Sequence, residues 1–264
     1  LGIRNETARR SNMGRETFLA PVSWEREPFE WKDVRYEWPV ISPGTGRIER
    51  SYPAPLPDAR QRPLTGLRDD FDAPALGPAW NFRRVPQPDS HSLSARPGFL
   101  RLHARAPIGP RGRASLAGIR QTASTFRLET RMLFEPGRDG SEAGLALVQK
   151  DDRYLAFTLR RENGAIRVDA TGRSGAVITH HAQRPVPGYD GEIVLRVVAA
   201  QDGYRLGYVL PGADEAIEVA RVPGDALLSR GYTGAYLGLY AAHEDGAGAD
   251  HADFDWLLYR PGTQ

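Results

Sequence analysis

The sequence predicts an all-β chain whose larger part is a sandwich of two packed sheets. Three observations predict it. Phe126, Leu128, Thr130 and Met132 alternate with Arg127, Glu129 and Arg131, the period-two pattern of a half-buried strand. Leu155, Phe157 and Leu159 repeat the pattern, and Tyr204, Leu206 and Tyr208 follow it less cleanly. No stretch sustains a 3.6-residue apolar period, which removes amphipathic helices as the main element. The 28 Gly and 21 Pro among 264 residues suit short strands joined by many turns and stay below the range of disordered chains.

In chain order, residues 1–50 hold short apolar strands separated by charged loops, such as the acidic and aromatic stretch 25–33. The first residues read as the tail of a domain, because a strand-like run ending in Trp24 precedes any self-contained core. Residues 51–66 are Pro-rich, and proline cannot continue a helix or a central strand, so this segment is expected to be an extended linker. Residues 67–264 carry strand signals at near-regular spacing. Residues 193–198 and 235–241 are apolar enough to be central strands. Asn163-Gly164 between two apolar runs marks a tight hairpin, since both residues accept the positive φ of a type I′ turn.

Composition excludes several classes of function. Net charge is only +2, and the basic residues are nearly all Arg interleaved with acids, so no single-sign stripe suits nucleic acid. With no cysteine there is no disulfide framework, thiolate metal site or Cys nucleophile. No apolar run approaches the roughly 20 residues of a membrane-spanning helix. His180 and His181 are strand neighbours that face opposite sides and cannot chelate one ion together. The compartment stays open.

The run Gly14-Arg15-Glu16-Thr17-Phe18-Leu19, then Trp24, Glu37-Trp38-Pro39-Val40-Ile41 and Pro43-Gly44-Thr45-Gly46-Arg47, resembles the last blade of the five-bladed propeller in family 43 glycoside hydrolases. The second half is similar to the C-terminal concanavalin A-like sandwich of family 43 β-xylosidases. The likeness rests on residues 67–72, Trp80-Asn81-Phe82, 92–102, Glu142-Ala143-Gly144-Leu145, Tyr232-Thr233-Gly234-Ala235-Tyr236-Leu237-Gly238 and Ala252-Asp253-Phe254-Asp255-Trp256, in that order. The resemblance implies a concanavalin A-like jelly roll preceded by a propeller-blade remnant. It also implies a β-xylosidase or α-L-arabinofuranosidase acting on xylan- or arabinoxylan-type oligosaccharides, its remaining blades being the partner of this chain.

Glycoside hydrolysis needs two carboxylates across the scissile bond. By the resemblance, these lie on blades that precede residue 1, so no catalytic residue is expected in this chain. The sandwich does not supply its own pair: Asp253 and Asp255 share a strand face, but the third acid of a Glu-x-Asp-x-x-Glu pattern is missing.

The resemblance makes Arg15 a sugar contact in the innermost subsite, a task suited to a rigid fork of five donors; the alternative is an ion pair with the neighbouring acidic loop. Arg120 and Ser124 belong to the loop that in related xylosidases carries an aromatic over the substrate mouth. Here Thr122, Ala123, Ser124 and Thr125 supply none, and Phe82 is an aromatic that could take the role. Asp69, Asp70 and Asp72 near one end of the domain could meet Asp253 and Asp255 near the other and hold Ca²⁺, although no Gly-rich ligand loop accompanies them, so no cofactor is expected. Trp80, Trp256, Tyr236 and Tyr240 read mainly as core. A free-standing carbohydrate-binding module is the alternative function. An unpaired edge around Phe18, Leu19 and Val22 would favour homo-oligomers.

Overall fold

The structure is a computed structural model that describes residues 2–3, 11–25, 30–31, 34–35, 37–49, 51–56, 65–109, 112–230 and 233–262. Half of the Pro-rich segment (57–64), much of the acidic loop (26–29 and 32–33) and Tyr232 lie outside the described residues. Two compact units emerge: one comprises Leu1–Ile3 and Arg15–Pro63, the other Arg4–Gly14 and Leu64–Gln264.

Among its described residues the smaller unit contains three short antiparallel ladders. β1 (Gly2–Ile3) pairs with β2 (Arg15–Glu16), β3 (Val22–Glu25) with β6 (Trp38–Ile41), and β4 (Glu30–Trp31) with β5 (Val34–Arg35). Its apolar side chains are poorly covered: Leu19 is 75% exposed and Trp24 63%.

The larger unit is built from β7 (Leu67–Asp69), β8 (Trp80–Phe82), β9 (His91–Ser92), β10 (Leu100–Arg105), β11 (Ser115–Arg120), β12 (Phe126–Leu133), β13 (Ser141–Lys150) and β14 (Arg153–Glu162). These continue into β15 (Ala165–Ser174), β16 (Val177–Pro185), β17 (Glu192–Ala200), β18 (Gly203–Val209), β19 (Ile217–Pro223), β20 (Tyr236–His243) and β21 (Ala247–Pro261). One layer runs β16-β15-β14-β13-β20, with β11 and β8 added beyond β20. The other runs β10-β21-β12-β17-β18-β19. A single parallel pair, Arg105 with Ala242, links them.

Alternation explains how the layers face each other. Leu145, Leu147, Leu155, Phe157 and Leu159 of the first layer share one buried cluster with Leu128, Met132, Leu195 and Val197 of the second. Removing these side chains from water is the main force closing the sandwich, at about 1.5–3 kcal/mol per fully buried large side chain. Trp80 and Tyr240 are buried as expected, and Trp80 Nε1 donates to Asp69 Oδ2 at 2.7 Å. Asn163 (φ 50°) and Gly164 (φ 77°) form the predicted tight turn, with Glu162 opposite Ala165. β20 is buried along almost its whole length, as a central strand with both faces covered should be. On its outer side a smaller cluster joins Leu116, Val148, Tyr240 and Ala242 to Ile108 and Ala114 of the β10–β11 connection.

The arginine excess goes into ion pairs on the outer face of the second layer. Glu129 lies between Arg127 (2.7 Å) and Arg196 (2.5 Å), and Arg131 reaches both Glu192 (2.8 Å) and Asp255 (2.9 Å). No helix among the described residues is long and apolar enough to cross a membrane.

Candidate functional site

Arg120 ends β11 opposite Tyr236, the first residue of β20. Its guanidinium donates to the carbonyl of Gly234 (3.1 Å) and to that of Met13 (2.9 Å), and it lies 5.5 Å from the Tyr236 ring centroid. A guanidinium fork can serve two carbonyls and an aromatic face at once because its donors diverge in one plane. Arg120 thereby ties the Ser11–Gly14 stretch into the sandwich, and three further bonds do the same. Ser11 N donates to Ser229 O (3.0 Å), Ala235 N to Asn12 O (2.8 Å), and Gln149 Nε2 to Ser11 O (2.5 Å).

Ser11, Asn12 and Met13 are all buried by this docking. Gln149 also donates to Thr233 O (2.9 Å), so two backbone carbonyls fix its amide nitrogen and leave Oε1 with no hydrogen-bond partner among the described residues. Glycine is required at 234: a Cβ there would stand 2.1 Å from Arg120 Nη2 and 2.4 Å from Met13 O.

Ser124 sits in the loop after β11. Tyr259 Oη accepts from Thr122 N (3.1 Å) and Ala123 N (3.2 Å), and Gln121 Nε2 donates to Ala123 O (2.9 Å), so the loop is held along its length. Ser124 and Thr125 line a cavity of about 580 Å³ with Asn12, Tyr204 and Asp225. Arg120 and Ser124 therefore meet at the Ser11–Gly14 stretch, Arg120 through Met13 and Ser124 through the cavity it shares with Asn12. Phe82 is not among the residues lining that cavity; opposite Ala117 on β8, it packs against the shared interior and on the His91 ring at 4.4 Å. Arg15 belongs to the smaller unit, where it is exposed on β2 opposite Ile3.

The acidic residues considered for Ca²⁺ are distributed over separate arginines. Asp253 accepts a two-pronged bond from Arg101 (2.7 and 2.8 Å) with Arg96 at 3.4 Å, Asp255 pairs with Arg131 at 2.9 Å, and Asp70 pairs with Arg68 at 2.6 Å. Asp69 accepts from Phe71 N (3.0 Å) and from Trp80, and Asp72 lies exposed. Among the described residues no three potential ligands converge. Burial pushes the Asp253 carboxyl upward, but Arg101, with help from His251 and Arg96, outweighs it and holds the pKa below the ordinary value. A carboxylate held ionised in this way is unsuited to be a general acid. Glu142 behaves in the opposite sense: burial raises its pKa in spite of the bond it accepts from Tyr240 Oη at 3.0 Å.

Sequence reasoning missed Gln149, Gly234 and the Ser11–Gly14 stretch. Gly234 lay inside a quoted motif, yet its reason is a clash with groups far away in sequence.

Two facing sheets, a helix content limited among the described residues to one 3₁₀ turn at Gly224–Leu227, and a shared apolar interior define a concanavalin A-like β-sandwich. The chain belongs to the family described as the Beta xylosidase C-terminal Concanavalin A-like domain, which matches residues 68–260. It is 29% identical over 270 residues to the non-reducing end alpha-L-arabinofuranosidase BoGH43B of Bacteroides ovatus, covering 98% of this chain and 47% of that protein. It is 27% identical over 253 residues to a xylosidase/arabinosidase of Butyrivibrio fibrisolvens, covering 93% of this chain and 46% of that protein. A solved structure described as Bacteroides ovatus Xyloglucan PUL GH43B superposes with a TM-score of 0.82 at 26% identity, over 96% of this chain and 48% of that one. The chain thus spans about half the length of the curated relatives it matches.

Proposed function

We propose that this chain is the C-terminal part of a family 43-type glycosidase acting on xylan- or arabinoxylan-type oligosaccharides, as a β-xylosidase or α-L-arabinofuranosidase. In this reading the sandwich shapes the mouth of the active site, and the acid and base are supplied by propeller blades outside this chain. The observation that carries it is the docking of Ser11–Gly14 by Arg120, Gln149 and the residues around Gly234. That stretch leads directly into Arg15, the residue that the family resemblance makes a sugar contact. A sandwich that grips the root of this strand has a reason to be joined to a glycosidase. The arginine pairing of Asp253 and Asp255 supports the assignment of chemistry to other blades, since each carboxylate is already engaged by a guanidinium.

Assay of the purified chain with aryl β-xylosides and aryl α-L-arabinofuranosides tests this. No turnover above buffer is expected. Hydrolysis that survives purification and disappears in Asp253→Asn or Asp255→Asn would overturn the reading.

A further inference from the structure

The only Asn-Gly pair in the sequence, Asn163-Gly164, is the tip of the hairpin that joins β14 to β15. Such a pair is chemically labile wherever its backbone is free, because glycine puts no side chain beside its own amide nitrogen and that nitrogen can reach the Asn Cγ to close a five-membered ring. Both residues are exposed, and a Cβ on Gly164 would meet nothing nearer than Arg161 Nη2 at 4.0 Å, so the approach to the nitrogen is open. Two features hold the reaction back. Positive φ at both residues (50° and 77°) makes a type I′ turn, whose ψ of about +30° at the first of them keeps Cβ and the following nitrogen far from the eclipsed arrangement that ring closure needs. The second feature is Asp139. Its Oδ1 accepts from Gly164 N at 3.0 Å and from Arg161 Nε at 3.2 Å, so one carboxylate oxygen of the β12–β13 connection spans both ends of the hairpin tip. Neighbouring bonds seat that connection: Gly140 N donates to Arg161 O (2.9 Å) and Arg161 Nη1 to Pro136 O (3.1 Å).

We propose that Asn163 is a site of spontaneous conversion to aspartate and isoaspartate, and that Asp139 sets its rate by holding the attacking nitrogen. In the step, Gly164 N gives its proton to hydroxide and bonds to Asn163 Cγ, the Cγ–Nδ2 bond breaks, and ammonia leaves with a proton taken from water. The product is a succinimide. Water then adds to one of its two carbonyl carbons: opening at Cγ gives aspartate, and opening at the backbone carbonyl gives isoaspartate, in which the chain runs through the former side chain. Nothing is oxidised or reduced, and water is the sole co-reactant. While Asp139 accepts the Gly164 N–H, that proton is not available to hydroxide, so attack waits for the bond to break. The reaction also changes the hairpin. A new carboxylate arises beside Glu162, and isoaspartate lengthens the backbone by a methylene carbon at the point that sets Glu162 opposite Ala165 and thereby the register of β14 on β15. The site is independent of the glycosidase assignment above.

The test follows residue 163 by peptide-mapping mass spectrometry while the intact chain and a peptide of residues 160–167 are incubated side by side at mildly alkaline pH. Replacement of the amide NH₂ by OH marks conversion, and electron-transfer fragmentation separates isoaspartate from aspartate. Conversion is expected in the chain, about tenfold slower than in the peptide, with isoaspartate among the products. Asp139→Ala is expected to speed it about fivefold, because an exposed bond to a charged acceptor is lost, and Asp139→Asn, which keeps an acceptor without the charge, about twofold. Thermal melting shows that each variant is folded at the incubation temperature, so that a faster rate does not come from unfolded chain. A chain that converts as fast as the peptide would overturn the proposal. So would folded Asp139→Ala and Asp139→Asn chains that convert at the parent's rate, or a folded Asp139→Ala chain whose Asn163 is intact when the peptide has fully converted.

Discussion

Gly234→Ala is expected to loosen the sandwich at one defined place. The added Cβ meets Arg120 Nη2 at 2.1 Å and Met13 O at 2.4 Å, where ordinary contacts begin near 3.4 Å, so one neighbour must retreat by about 1 Å. If Arg120 swings away, the bonds to Gly234 O and Met13 O are lost, and bonds from a charged donor contribute about 1.5–3 kcal/mol each. If the backbone yields instead, overpacking costs about 1–3 kcal/mol. Either route gives a loss of about 3 kcal/mol. For a unit of this size a kcal/mol corresponds to about 2–4 °C, so the melting temperature should fall by about 6–12 °C. Thermal unfolding followed by circular dichroism measures it, and a double-mutant cycle locates it. Arg120→Ala removes the nearer obstacle, so the cost of Gly234→Ala in that background should shrink by at least about 1 kcal/mol. A Gly234→Ala protein that melts within about 1 °C of the parent, or strictly additive effects, would refute the argument that Arg120 and Gly234 form one clamp.

Three further outcomes are expected. Asp253→Asn leaves Arg101 without its partner and should cost about 3 kcal/mol at neutral pH. Because the folded pKa of Asp253 is lowered, its contribution is complete above the ordinary carboxylate value of about 4 and is lost as pH falls through the lowered one. Denaturant titrations of parent and variant should therefore converge in acid, and a gap independent of pH would count against the ion pair. Glu142 is the reverse case: with its folded pKa raised, it favours the folded state at low pH and loses that benefit as pH rises from about 4.3 through the raised value. Glu142→Gln keeps an acceptor for Tyr240 and should flatten the stability profile in that window; an unchanged profile would show that Glu142 titrates normally. Finally, exposed Phe18, Leu19, Val22 and Trp24 should drive self-association. Sedimentation should show the full chain larger than its own mass while a chain beginning at Leu67 stays monomeric, and a strictly monomeric full chain would end this idea.

The sequence alone determined what depends on neighbours along the chain. Period-two alternation in β12 and β14, the Asn163-Gly164 turn and the apolar run of β20 are local signals, because a strand displays its two faces in successive residues whatever it later packs against. The ordered motifs from residue 67 onward carried the sandwich and its family for the same reason. Tertiary structure alone decided the pairings between distant segments. Asp253 was legible as an acid next to Asp255, but its partner is Arg101, some 152 positions away. Arg120 and Ser124 were legible as loop residues, yet what they act on is the Ser11–Gly14 stretch, more than 100 residues earlier. Gly234 reads as an ordinary turn glycine until the guanidinium beside it is placed. Contacts of this kind are fixed by which sheet edges close on one another, and that depends on burying the whole core at once, so no window of sequence contains them.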